Sequence, residues 1–281
     1  MMRFLLWLLL SGFGVVCLGQ VDYTSDSPYR WHPEGGEVWT LGPQTRVYVG
    51  PDTQATLHAT LPTGTALQLL ERLDETETRQ GFRANWYRVQ YQKEDVFIWG
   101  GDIALTKAES RATPLTMTYG LQKIRKVQRG NYQEPQLDIV FVASYQGQFI
   151  DSLHIAAIGT LYTKTQVQLK GAQGLAGIKE VVEIAFSDGY CGGVAATTTL
   201  LWDGKNWKEL GLLSQGFGDN HFSNAYYKYP QEHQQGSHII ELHQEEGYYN
   251  QEKQPIYTLQ ETKIYEWTGA QLLLIEGGLE D

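Results

Sequence analysis

A chain of 281 residues that is 42% hydrophobic and 19% charged is long enough for one large domain or two ordinary ones, and too apolar to be disordered throughout. Its aromatic share of 12%, with 17 Tyr and 8 Trp, favours strands, and its 30 Gly follow no period, so they read as turns. The formal net charge of -10 excludes nucleic acid and anionic membrane surfaces as partners, since both require a basic face.

The first 19 residues have the pattern of an export leader. Arg3 gives the positive start, and residues 4–16 are apolar but too short and glycine-interrupted to span a membrane. Small residues at Cys17 and Gly19 fit cleavage after Gly19, whereas lipidation at Cys17 wants a small residue where Val16 stands. Loss of the leader leaves Cys191 as the one remaining cysteine, so no internal disulfide forms and apolar cores must carry stability. The apolar run 153–161 is broken by Gly159 and too short to cross a bilayer. The expectation is a periplasmic or extracellular protein that is not integral to the membrane. Residues 20–36 are polar, carry Pro28 and Pro33, and read as an extension ahead of the first domain.

Residues 37–106 form the first domain in this reading. Arg46-Val47-Tyr48-Val49 alternates into the turn Gly50-Pro51-Asp52. Then come Leu61-Pro62-Thr63-Gly64-Thr65-Ala66-Leu67, Asn85-Trp86-Tyr87-Arg88-Val89 and Val96-Phe97-Ile98-Trp99-Gly100. In order and spacing these segments resemble a bacterial SH3-like domain, although Val49 stands where that family usually has Arg. The resemblance implies a small five-strand barrel of an exported protein, holding a cell-wall peptide or an envelope protein. Tyr48, Trp86, Tyr87 and Trp99 are the candidate groove aromatics, with Asp52 and Asp95 near the turns for a cationic peptide group. Strand alternation sends Trp86 and Tyr87 to opposite faces, so at most one lines a groove. Residues 74–81 are polar and read as a loop.

Residues 113–281 read as an antiparallel β-domain: a meander, a sandwich, or propeller-like hairpins. The whole chain is therefore expected to be all-β. Residues 107–114 form a polar bridge, and 116–128 are the one place where a helix competes, with Leu121, Ile124 and Val127 at helical spacing. Strands follow over 137–142, 153–161, 165–169, 181–186, 194–202, 257–259, 262–267 and 271–275. Trp202-Asp203-Gly204-Lys205-Asn206-Trp207 and Trp267-Thr268-Gly269-Ala270-Gln271-Leu272 read as tight hairpins.

Three groups in this half carry candidate chemistry. Tyr190-Cys191-Gly192-Gly193 resembles the Asp-Cys-Ser-Gly motif of NlpC-type cell-wall cysteine peptidases, with His238 or His243 as base. Tyr190 and Gly192 depart from that motif, and Thr197-Thr198-Thr199 disfavours the helix it needs, so a glycine-rich hairpin with an incidental thiol is the stronger reading. His221, His233, His238 and His243 lie close in sequence, near Asp219 and Glu241, but in no zinc spacing; no metal or cofactor is implied. Residues 216–229 read as a long loop dense in aromatics and amides, where Asp219, Asn220, Phe222 and Tyr226 suit a sugar or a peptide. The reading is thus a non-catalytic envelope-binding protein, against a cysteine hydrolase or a purely structural envelope protein.

Overall fold

The computed structural model describes residues 35–79, 82–129, 132–156, 164–187, 194–218, 220–233 and 235–279. The described residues are nearly all β, in antiparallel sheets that include a half-barrel. The leader, most of the extension, Cys191 and Asp219 lie outside the described residues.

The first sheet contains β1 (Glu37–Trp39), β2 (Thr45–Tyr48), β3 (Leu57–Leu61), β4 (Ala66–Arg79), β5 (Phe82–Tyr91) and β6 (Glu94–Trp99), in the order β1-β4-β5-β6-β2-β3. A 3-10 turn, Gly100–Asp102, then returns the chain so that Ile103 bridges Thr40 beside β1. Alternation supplies the core: Leu67 and Leu69, Tyr87 and Val89, Val96 and Ile98 all project inward to meet Val38, Val47 and Ile103. Residues 74–79 are strand, not the expected loop. Thr76 pairs with Asn85 and Thr78 with Arg83, and the Arg83 guanidinium donates to Thr76 Oγ1 at 2.7 Å. β-Branched threonines and cross-strand hydrogen bonds keep this polar ribbon paired where polarity alone suggested a loop.

The second sheet is a meander of β7 (Thr106–Glu109), β8 (Leu115–Arg129), β9 (Tyr132–Tyr145) and β10 (Gln148–Ala156). The third has eight strands, each beside its chain neighbour: β11 (Lys164–Leu169), β12 (Glu180–Ser187), β13 (Val194–Trp202), β14 (Trp207–Gly218), β15 (His221–Lys228), β16 (Ile239–Tyr249), β17 (Pro255–Trp267) and β18 (Leu272–Leu279). A one-turn helix α1, Pro230–His233, joins β15 to β16. Both expected hairpins are present, with Trp202 opposite Trp207 and Trp267 opposite Leu272.

The strands with continuous apolar runs are those buried on both faces. In β9, Ile139, Phe141 and Ala143 join Val182, Ile184, Phe186, Leu200 and Trp202 of β12 and β13 in one cluster. On the other face Val140 and Val142 pack with Leu41 and Ala104 from the first unit. Val181 and Leu201 turn the opposite way and meet Leu175, Tyr229, Ile240 and Trp267. The second sheet therefore lies between Leu41 and Ala104 of the first unit and the apolar face of β12 and β13, while Tyr48, Trp86 and Trp99 of the first unit join the cluster on that latter side.

The bridge between the units is partly strand, because β7 pairs with β8 over Thr106–Glu109. Its remainder is held by the fully buried Glu180 carboxylate, which accepts from the Ser110 and Thr113 hydroxyls and the Gly171 N–H. A buried carboxylate with three donors is satisfied, which lets a charged group sit at the junction.

The expected helical competitor over 116–128 is instead β8. Leu115, Met117, Tyr119 and Leu121 are buried at two-residue spacing, and β9 pairs along the strand. A register shift between Leu121 and Lys123 adds Gln122 out of phase. That bulge produces the three-residue interval from Leu121 to Ile124 that reads as helical in sequence. The expected loop over 216–229 is likewise a hairpin: Gly216, Phe217 and Gly218 pair with Ser223, Phe222 and His221.

Candidate functional site

A cleft of about 350 Å³ opens where the first unit meets the second sheet. One wall is Leu41, Gly42 and Pro43 with Trp99, Gly101 and Asp102; the other is Gln122, Val140, Val142, Phe149, Ser152 and His154. Small residues make this shape. A Cβ on Gly120 would lie 2.6 Å from Leu41 Cδ2, so glycine there lets the two walls close beneath the opening. The 3-10 turn carries Gly101 and Asp102 to the rim, and the Gln122 bulge aims its amide there as well.

The electrostatics centre on Arg79. Its guanidinium donates to Asp102 Oδ2 at 3.1 Å and to Glu77 Oε2 at 2.9 Å, and lies 4.5 Å from the Trp99 ring and 5.2 Å from the Trp86 ring. Trp99 Nε1 also donates to the Glu77 carbonyl at 3.1 Å. A cation held between two carboxylates and two indoles fixes the rotamers around it. Burial lifts the Asp102 carboxyl to about 6, against the attraction of Arg79, with the Glu77 charge adding to the rise. On the opposite wall His154 Nδ1 hydrogen-bonds Gln122 Oε1 at 2.6 Å, and Phe149 is exposed. The cleft so combines apolar area, neutral amide and hydroxyl groups and one paired carboxylate, a lining suited to holding a ligand by contact and hydrogen bonding.

The aromatic quartet is distributed differently from the sequence expectation of a groove. Tyr48, Trp86, Tyr87 and Trp99 are only 5%, 1%, 1% and 3% exposed. Trp86 and Tyr87 do face opposite ways, and each is packed: Trp86 edge-on to Tyr48 at 5.7 Å, Tyr87 inside the first unit's own core. Of the four, Trp99 lines the cleft. Asp95 pairs with Arg88 at 3.0 Å, and Asp52 Oδ1 accepts from the Gln54 N–H in its turn.

In the third sheet Tyr226 stacks flat on His243, with ring centroids 5.2 Å apart and planes 9° apart. Both His243 nitrogens are engaged, Nε2 with Glu241 Oε2 at 2.7 Å and Nδ1 with Thr262 Oγ1 at 3.2 Å. His238 lies 3.9 Å from Glu266. Phe222 packs against Tyr249 and Tyr257, while Asn220 sits exposed at the β14–β15 turn. Among the described residues no group of three or more His, Cys, Asp and Glu is placed to hold a metal ion, and no helix is long and apolar enough to cross a membrane.

Sequence reasoning missed Arg79, Asp102, Gln122, Phe149, Ser152 and His154. Arg79 and Asp102 are 23 residues apart and His154 lies in another sheet, so no local spacing connects them. The motif Trp99-Gly100-Gly101-Asp102, with adjacent glycines before an acid, was the one local signal. No protein-family model matches this chain, and no curated protein matches it.

Proposed function

We propose that this chain is an exported, non-catalytic binding protein of the bacterial cell envelope, in which residues 37–106 form a bacterial SH3-like barrel that holds a cell-wall peptide or an envelope protein. Support for the barrel comes from the six strands curling round one core of Val38, Val47, Leu67, Val89 and Ile98, with the resembling segments on consecutive strands. Support for export comes from the leader-like residues 1–19. The observation that carries the binding role is the cleft: Pro43 and Phe149 offer apolar contact, and Gln122, Ser152 and His154 offer hydrogen bonds. Phe149 is 48% exposed, so its ring is open to contact from the cleft.

The test is retention of the full chain on purified cell wall. Phe149→Ala and His154→Ala together are expected to weaken retention about tenfold while leaving the melting temperature unchanged. Full retention by that double variant would overturn the cleft as the gripping site. The competing cysteine hydrolase using Cys191 with His238 or His243 is separated by Cys191→Ala. Binding should persist in that variant, whereas loss of a wall-cleaving activity would decide for the hydrolase.

A further inference from the structure

The turn ends of the β14–β15 and β16–β17 hairpins lie side by side at one end of the third sheet. Gly218 pairs with His221, His221 with Tyr248, and Tyr248 with Ile256. One step inward the row is Gly216, Ser223, Glu246 and Leu259. Directly paired antiparallel residues project to the same side, as do residues two apart on a strand. His221, Ser223, Glu246 and Tyr248 therefore share one face.

That face carries a shallow depression of about 400 Å³. Gly216 and Gly218 leave bare backbone as part of its floor, and His221, Ser223, Glu246 and Thr258 supply its polar groups. Thr258 arrives through a bulge: Glu246 pairs with Leu259 and Gly247 with Tyr257, which leaves Thr258 extra. Gly247 permits that close approach, since a Cβ there would lie 2.1 Å from the Ile256 carbonyl oxygen. Phe222, which also lines the depression, is packed by Tyr249 and Tyr257 at 5.2 Å and 5.6 Å, which stiffens the sheet there. Beside it Tyr248 stands 39% exposed, its ring 6.1 Å from that of His221.

A pyranose ring has an apolar C–H face and a rim of hydroxyls. It needs a flat aromatic surface beside strong acceptors and small polar groups, and a preformed floor to limit the entropy lost on binding. Tyr248 supplies the surface, the Glu246 carboxylate the acceptor, and Ser223, Thr258 and His221 further hydrogen bonds. Among the described residues Glu246 is the one acid of the lining, and the chain carries a net charge of -10, so an acidic sugar is repelled. The geometry points to a binding site for neutral oligosaccharides on this face, separate from the cleft and independent of its occupant.

The test is calorimetric titration of the full chain with chitotetraose, cellotetraose and maltotetraose, and with tetragalacturonate as the acidic counterpart. At least one neutral sugar should bind, and more tightly than tetragalacturonate. Tyr248→Ala and Glu246→Gln should each weaken that binding about tenfold, while the cleft variant Phe149→Ala leaves it unchanged. Gly218→Leu guards against a variant that merely fails to fold: a Cβ there meets nothing within 4 Å, so the chain should keep its melting temperature while the depression fills. No binding by any neutral sugar, tighter binding of tetragalacturonate, or binding that survives both Tyr248→Ala and Gly218→Leu would overturn the site.

Discussion

Asp102 illustrates how an ion pair can coexist with a carboxyl that titrates high. Arg79 attracts the charged form, yet removal of the carboxyl from water outweighs that attraction and lifts it from 3.8 to about 6. Because the folded value lies above the unfolded one, Asp102 adds stability that is fully present below 3.8 and lost as the pH rises through about 6. Asp102→Asn removes this titration. Its stability relative to the parent should rise across that window and level off above it, as measured by urea unfolding at a series of pH values; a constant difference would contradict the high value. None of this was legible in the sequence, where Arg79 lay in a stretch read as loop and Asp102 in a terminal turn. What could be read at this scale was local: the opposite facing of Trp86 and Tyr87 follows from strand alternation alone.

Elements were legible where their signal was short-range. The hairpins at Trp202–Trp207 and Trp267–Leu272 announce themselves through aromatic, glycine turn and apolar return, and both are present. Elements failed where polarity or a bulge disguised pairing, as in the end of β4, in β8 with its extra Gln122, and in the glycine-rich β14–β15 hairpin. Another turn had no glycine to mark it: β5 and β6 are joined by Gln92 and Lys93, at φ of 52° and 72°. Two consecutive left-handed residues between paired Tyr91 and Glu94 favour glycine at the second position. Lys93→Gly should therefore raise the unfolding free energy by about 1 kcal/mol, measured as a higher urea midpoint with an unchanged slope. A decrease would mean that the lysine side chain contributes more than its backbone costs.

At the scale of the molecule, the boundary expected near residues 107–112 is a joint in sequence and a seam in packing. Trp86 and Trp99 of the first unit share a cluster with Phe141 of the second sheet and Trp202 of the third. Glu180 also ties the linking segment to the third sheet through Ser110 and Thr113. Continuous burial across the joint couples the layers, so tryptophan fluorescence and far-ultraviolet circular dichroism should report one coincident urea transition. Trp86→Ala should lower it by about 3–5 kcal/mol for both probes. Two separated transitions would show that the units unfold independently. Deleting residues 37–106 should likewise expose Val140 and Val142, which Leu41 and Ala104 now cover, and leave a chain prone to aggregate.

Chain order in the sheets has a consequence for biogenesis. Each strand from β12 to β18 lies beside its immediate predecessor, so this sheet can grow hairpin by hairpin as residues emerge during synthesis. The first unit must wait: β1 pairs with β4, and Thr40 completes its bridge only when Ile103 has appeared. Within that unit β2 can pair with β3 before β4 is complete, so β1 is not the first strand to be secured. Until the 3-10 turn closes, the apolar side chains of β1 and β2 remain open to any factor that escorts unfolded polypeptide.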